Sequence, residues 1–252
     1  MRIIALTNQK GGVGKTTSVT NIGAGLCKLG QKVLLIDLDP QAHLTYSLGF
    51  TAHEIEKTVY QLLKAEEPAE STIQKRNGIH LIPANIDLSG AEIELISVAG
   101  REFLLKENLV NLLNGNYYDY ILLDCPPSLG LLTLNALTTA TEVFIPLQTE
   151  YLALNGLSKL LQTINVVKKR LNPGIEITGI IATRYDGRKK LNNEVVNKIR
   201  EHFGDKLFPT LIRDNVSLAE APSFGMTIFE YKPDSNGATD YLSICQEILN
   251  RR

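Results

Sequence analysis

Six short apolar runs punctuate the chain, and between them apolar positions recur every three or four residues. The runs are 2–7 (RIIALT), 32–37 (KVLLID), 79–83 (IHLIP), Tyr120–Asp124 (YILLD), Glu142–Gln148 (EVFIPLQ) and 175–183 (IEITGIIAT). Several are apolar at successive positions instead of alternating, the pattern of a strand with both faces covered. The intervening stretches have helical period. One predicted helix spans 15–29 and is stopped by Gly30; another spans 157–171 and is stopped by Asn172-Pro173-Gly174. Strands alternating with helices predict an α/β fold: a doubly wound, mainly parallel sheet. No repeat, low-complexity segment or linker interrupts the pattern, so residues 1–252 are expected to form a single domain. The polar, charged stretch 41–77 is the least regular, and is expected to form short helices and loops over the strand ends.

Composition narrows this picture only at its margins. A chain of 252 residues suits one α/β domain that buries roughly three-quarters of its unfolded-chain surface. The net charge of −1 excludes a globally basic nucleic-acid binder, while leaving local patches open. Cys27, Cys125 and Cys245 lie far apart with no CxxC spacing, which suits a reducing compartment and makes no sequence-local metal site. No apolar run approaches the ~20 residues that span a bilayer, and no leader pattern precedes the first strand. A soluble, cytoplasmic protein is expected, with no membrane partner.

The first strand runs into Asn8-Gln9-Lys10-Gly11-Gly12-Val13-Gly14-Lys15-Thr16-Thr17 and then a helix. Strand, glycine-rich loop and helix N-terminus together cradle phosphates: glycines let backbone N–H groups turn inward, and the helix dipole adds positive potential. Lys15 is placed to reach the β- and γ-phosphates, and the Thr16 hydroxyl to ligate Mg²⁺. The strict GxxxxGK[ST] pattern fails, because Gln9 stands at its first glycine. A second lysine, Lys10, lies inside the loop. Two cations bracketing one loop leave two readings: both meet phosphate, or Lys10 is solvated.

Carboxylates occupy the ends of two strands. Asp37 and Asp39 share one face at the C-terminal end of the second run, where ligands sit in open α/β sheets. Asp124 closes the run Tyr120–Asp124 and precedes Cys125-Pro126-Pro127-Ser128, an arrangement able to hold Mg²⁺ directly or through water. The four histidines are scattered, and no Ser–His or Cys–His pair is legible. Phosphoryl transfer to water fits this inventory better than transfer to a second substrate.

The loop Lys10-Gly11-Gly12-Val13-Gly14-Lys15-Thr16-Thr17 resembles the deviant Walker A motif of the ParA/MinD ATPases, a P-loop NTPase family. The resemblance to its partition branch, the ParA or Soj type, runs over essentially the whole chain. It includes Asp37-Leu38-Asp39-Pro40-Gln41, Asp124-Cys125-Pro126-Pro127-Ser128-Leu129-Gly130, Thr183-Arg184-Tyr185-Asp186-Gly187-Arg188 and Leu218-Ala219-Glu220-Ala221-Pro222-Ser223-Phe224-Gly225. The resemblance implies an ATPase that binds ATP and Mg²⁺ and closes into a nucleotide-sandwich homodimer. In that picture Lys10 reaches the partner subunit's ATP in the manner of an arginine finger. Asp39 positions the attacking water and supports Mg²⁺, alongside Thr16 and Asp124, while Asp37 is structural. Cys125 is then a packed residue and not a nucleophile. The chain opens on its first strand, so no N-terminal DNA-binding extension is expected.

The resemblance further implies nonspecific DNA binding by the ATP dimer, association with the nucleoid, and a ParB-like centromere-binding partner that accelerates turnover. The expected footprint is a basic stripe. Between Arg184 and Lys206 stand seven Lys/Arg against four Asp/Glu. Arg184, Arg188, Lys189, Lys190 and Lys198 are the candidate phosphate contacts, with Arg213 as a further one. From charge alone, a solvated helix face is the stronger reading. The chain departs from the family where two arginines are replaced by Asp214 and Ser217, and where Met226 stands in place of a frequent lysine. Two rival readings share the nucleotide chemistry. One is a membrane-cycling regulator of the MinD type, for which the apolar stripe Tyr241, Leu242, Cys245, Ile248 and Leu249 of residues 240–252 would have to be an anchor and not core. The other is a positioning ATPase for a protein cargo.

Overall fold

The computed structural model describes residues 1–150 and 156–251. In chain order the main elements are β1 (Arg2–Leu6), α1 (Lys15–Lys28), β2 (Val33–Asp37), α2 (His43–Ser47), α3 (Val59–Leu63), β3 (Gln74–Arg76), β4 (Ile79–Ile82) and α4 (Leu88–Glu94). There follow α5 (Leu104–Asn108), α6 (Val110–Asn114), β5 (Tyr120–Asp124), α7 (Leu131–Thr139), β6 (Glu142–Gln148) and α8 (Leu157–Arg170). The chain then passes through β7 (Glu176–Thr183), α9 (Lys190–Phe203), α10 (Val216–Glu220), α11 (Ile228–Tyr231) and α12 (Asn236–Asn250).

The strands form one sheet in the order β3-β4-β2-β5-β1-β6-β7. All neighbours pair in parallel except β3 with β4. All six expected strands are present. The seventh, β3, lies within the stretch expected to hold only helices and loops, and so corrects that expectation. Its polar residues Gln74, Lys75 and Arg76 carry no apolar signal. It is folded back onto β4 through Asn77-Gly78, both at positive φ (48° and 80°), the geometry of a tight hairpin turn.

Continuous apolar strands divide their side chains between two cores. Ile3 and Ala5 of β1 point into one, Ile4 and Leu6 into the other, as a period of two requires. The second core is roofed by α1 and α12. Gly25 of α1 lets them close: a Cβ there would stand 2.6 Å from the Cys245 sulfur. Of the expected stripe of α12, Tyr241, Cys245 and Ile248 are buried here together with Ile244, Leu249 packs against them and Leu242 is half-buried. All of the stripe but Leu242 therefore belongs to the core; the last residue of the stretch, Arg252, lies outside the described residues. Among the described residues no helix is long and apolar enough to cross a membrane. Helix α1 ends as Gly30 suggested, with Gly30 N donating to Cys27 O (2.9 Å) and Gln31 N to Leu26 O (3.0 Å), a Schellman closure with Gly30 at φ 83°.

Candidate active site

The loop between β1 and α1 is fastened from behind by the two strands beyond it. The Gln148 amide donates to Gly12 O (2.7 Å), and the Thr183 hydroxyl donates to Val13 O (2.9 Å). Asn8 anchors the loop's start, donating to Pro146 O and accepting from Lys10 N. A trans peptide points C=O and the following N–H to opposite sides. Tying the Gly12 and Val13 carbonyls outward therefore turns the Val13 and Gly14 amides inward. Gly12 and Gly14 take φ of 71° and 90°, conformations that only glycine adopts without strain. Gly14 is also the N-cap of α1, with no side chain capping the helix, so the first-turn amides of a 14-residue helix stay open toward the cleft.

That cleft has a volume of about 1050 Å³ and is lined by Gly11 to Thr17, Asp39 and the C-terminal ends of the sheet. Lys15 is almost buried, at 8% exposure. Asp124 is buried too, and neither of its carboxylate oxygens finds a hydrogen-bond partner among the described residues. Burial holds its pKa well above the ordinary carboxylate range, and the charge of Asp37 adds to this; the nearby Thr16 hydroxyl and Lys15 pull the other way. Asp37 and Asp124 are register neighbours on β2 and β5.

The two acids that close β2 separate in role. Asp37 is buried and fully engaged: it accepts from Thr45 N (2.9 Å), Thr45 Oγ1 (2.8 Å) and Asp39 N (3.2 Å). Burial still lifts its pKa to about 6. It therefore holds α2 and the preceding turn in place. Asp39, two residues on, lines the cleft and accepts from Gln41 N (2.9 Å). Cys125 is buried, and burial pushes its thiol far up, so it stays protonated and packed, as expected.

A buried carboxylate without a donor, beside a helix-start threonine and a buried lysine, is the donor set of a hard cation shared with phosphate oxygens. Thr16, Asp124 and Asp39 fit Mg²⁺. Among the described residues there is no cluster of three His, Cys, Asp or Glu, so phosphate and water would complete the coordination.

Lys10 lies outside the cleft lining and pairs with Glu150 at 2.8 Å, both about half exposed. The basic candidates gather around the β7–α9 turn. Arg188 is bidentate to Asp186 (2.9 and 3.0 Å), Lys189 stands 3.8 Å from the same carboxylate, and Lys190 3.8 Å from Glu194. Arg184 and Lys198 are exposed. Arg213, expected with this set, instead commits its guanidinium to the buried Asp240 at 2.6 Å. Ser217 is buried as well.

Sequence reasoning missed the far wall of the cleft. Ile212, Arg213, Asp214, Asn215, Val216 and Leu218 line it. This segment runs beside the end of β7, with Ile212 N donating to Ala182 O (2.8 Å) and Tyr185 N to Ile212 O (3.0 Å). Tyr46 and Ser47 of α2 line the cleft as well. The family-like segment that begins at Leu218 was noted, but nothing in it indicates a place beside the phosphate loop, because only long-range pairing brings these groups there.

Residues 1–177 match the family described as AAA domain. The chain is similar to the chromosome-partitioning ATPase Soj of Thermus thermophilus, 49% identical over 100% of this chain and 96% of that protein. It is similar to the chromosome partitioning protein ParA of Caulobacter vibrioides, 44% identical over 100% and 95%. Among solved structures, cobyrinic acid a,c-diamide synthase from Mycobacterium smegmatis, with an ATP analogue and magnesium bound, superposes with a TM-score of 0.87. It is 37% identical and covers 99% of this chain and 95% of that one.

Proposed function

The chain belongs to the ParA/Soj family of chromosome-partitioning ATPases, and from that premise we propose that it is a Mg·ATP-dependent dimerising switch that holds DNA nonspecifically while ATP is bound. It is an ATPase. The observation that carries the nucleotide chemistry is the Asp124 carboxylate, buried beside Thr16 and Lys15 with no hydrogen-bond partner among the described residues, together with a cleft lined by the glycine-rich loop. Lys15 and the amides of Gly11 to Thr17 hold the phosphates, while Thr16 and Asp124, assisted by Asp39, hold the cation. These residues would hold Mg²⁺, which would supply charge neutralisation to phosphoryl transfer. Asp39 orients the attacking water. Lys10 leaves its exposed pair with Glu150 and completes the partner's site; such pairs are worth only about 0–1 kcal/mol, so the exchange costs little.

In the ATP dimer, Arg184, Arg188, Lys189, Lys190 and Lys198 meet DNA phosphates, and a ParB-like partner speeds hydrolysis and release. The pairs of Arg188, Lys189 and Lys190 with Asp186 and Glu194 lie at the surface, where phosphate competes readily. Core packing of α12 gives the membrane-cycling reading no support from that helix. The test is retention on nonspecific duplex DNA with ATP, with ADP and without nucleotide, at two salt concentrations. The expected result is binding with ATP alone, weakening as salt rises. Retention that ignores nucleotide or salt would overturn the DNA reading.

A further inference from the structure

The polar hairpin that sequence analysis passed over reaches into the architecture of the cleft. Arg76, the last residue of β3, directs one guanidinium nitrogen at two carbonyls: Leu48 O, at the C-cap of α2, and Gly225 O, at the end of the turn that follows α10. A cation at two helical C-termini is favoured by both sets of unsatisfied carbonyls. The two segments meet there backbone to backbone. Gly49 and Gly225 both have positive φ (76° and 61°), and a Cβ on Gly225 would stand 2.5 Å from Gly49 Cα. Beside Arg76, Asn77 donates to Glu230 Oε1 (2.5 Å), so the hairpin grips this side of the molecule twice.

Both of the segments joined line the cleft. His43, Tyr46 and Ser47 of α2 do so from one segment, and Leu218, Ala219 and Pro222 from the other. Helix α2 is also tied at its start, because Thr45 binds Asp37, and Asp37 accepts from Asp39 N. A continuous path of hydrogen bonds therefore runs from Gly225 through Arg76 and α2 to the backbone of Asp39.

We infer that Arg76 is a positioning residue for ATP turnover: by bridging Leu48 and Gly225 it couples occupation of the far wall of the cleft to the placement of Asp39. The inference rests on the nucleotide reading above and assigns it a new component, remote from the phosphates. Without the bridge, nucleotide still contacts both segments, but α2 is no longer held when the far wall is ordered. Turnover suffers more than binding.

The experiment compares wild type, Arg76→Ala and Arg76→Lys for kcat and KM with Mg·ATP, and for amide hydrogen exchange with and without nucleotide. In wild type, nucleotide should slow exchange in both 43–49 and 221–226. In Arg76→Ala it should protect 221–226 alone, with kcat lowered about 10–100-fold and KM changed less than about 3-fold. Arg76→Lys, which keeps the charge but not the planar fork, should recover part of both. An Arg76→Ala kcat within about 2-fold of wild type, or nucleotide protection of 43–49 that persists, would overturn the inference. So would exchange accelerated uniformly over the whole chain, which marks a merely structural residue. Should Arg76→Ala fail to fold, the exchange pattern of Arg76→Lys decides on the same criteria. A wild-type chain that does not hydrolyse ATP would remove the nucleotide reading itself, an outcome distinct from equal rates in wild type and variant.

Discussion

Asp124 is a costly side chain: a buried carboxylate with no donor on either oxygen among the described residues. Leaving such a group unsatisfied costs about 1–3 kcal/mol or more, and a protein keeps it only where something else supplies the partner. Asp124→Asn retains the shape and removes the charge. In the absence of metal and nucleotide the variant should be more stable than wild type by about 1–3 kcal/mol at pH 8, measured by denaturant titration. It should also lose the stabilisation that Mg·ATP gives wild type. A variant less stable than wild type in EDTA would show that Asp124 is satisfied by the fold and not by a ligand. At this scale the sequence was informative. Lys15, Thr16, Asp39 and Asp124 were each named from spacing or from resemblance; the fold sets the first three in the lining of one cleft and buries Asp124 beside Thr16 and Lys15. The pairing of Arg213 was not legible, because its partner Asp240 stands 27 residues away and nothing local announces it.

Among elements, those with periodic apolar faces were legible, while the polar hairpin was not. Strand β3 has three polar residues and no buried face, so hydrophobicity could not reveal it. The Asn77-Gly78 dipeptide was its one sequence signal. The far wall at Ile212 to Leu218 gave none, because its position follows from alignment with β7, some thirty residues earlier. Helix α1 illustrates how close packing constrains an element. The Gly25 contact with Cys245 leaves no room for a methyl group, so Gly25→Ala should destabilise by about 1–3 kcal/mol despite the better helix propensity of alanine. Pairing it with Cys245→Ala should restore much of the loss. A Gly25→Ala protein with unchanged or raised Tm would show that α1 and α12 can separate freely.

Over the whole molecule, the paired acids on β2 and β5 set how stability depends on pH. Burial raises the Asp37 pKa from 3.8 to about 6 and that of Asp124 above its ordinary value. At these two acids the native state therefore binds more protons than the unfolded chain, a negative contribution to the slope of stability with pH that outweighs the opposing one from His80, whose pKa burial lowers. This contribution is fully present below about 3.8 and is lost as pH rises through about 6, by on the order of 3 kcal/mol for a shift of about two units. Unfolding free energies measured in EDTA between pH 5 and 8 should fall with pH, and the fall should be shallower in Asp124→Asn. A flat or rising wild-type curve that matches the variant would contradict the assignment. The rear fastening of the phosphate loop by Gln148 and Thr183 has a consequence in time. A loop whose amides already face the cleft has no ordering step to complete after collision, so capture of Mg·nucleotide should follow a single kinetic phase whose rate rises linearly with concentration. Gln148→Ala, which frees the Gly12 carbonyl, should add a slow phase that saturates, and stopped-flow with a fluorescent nucleotide would resolve the two.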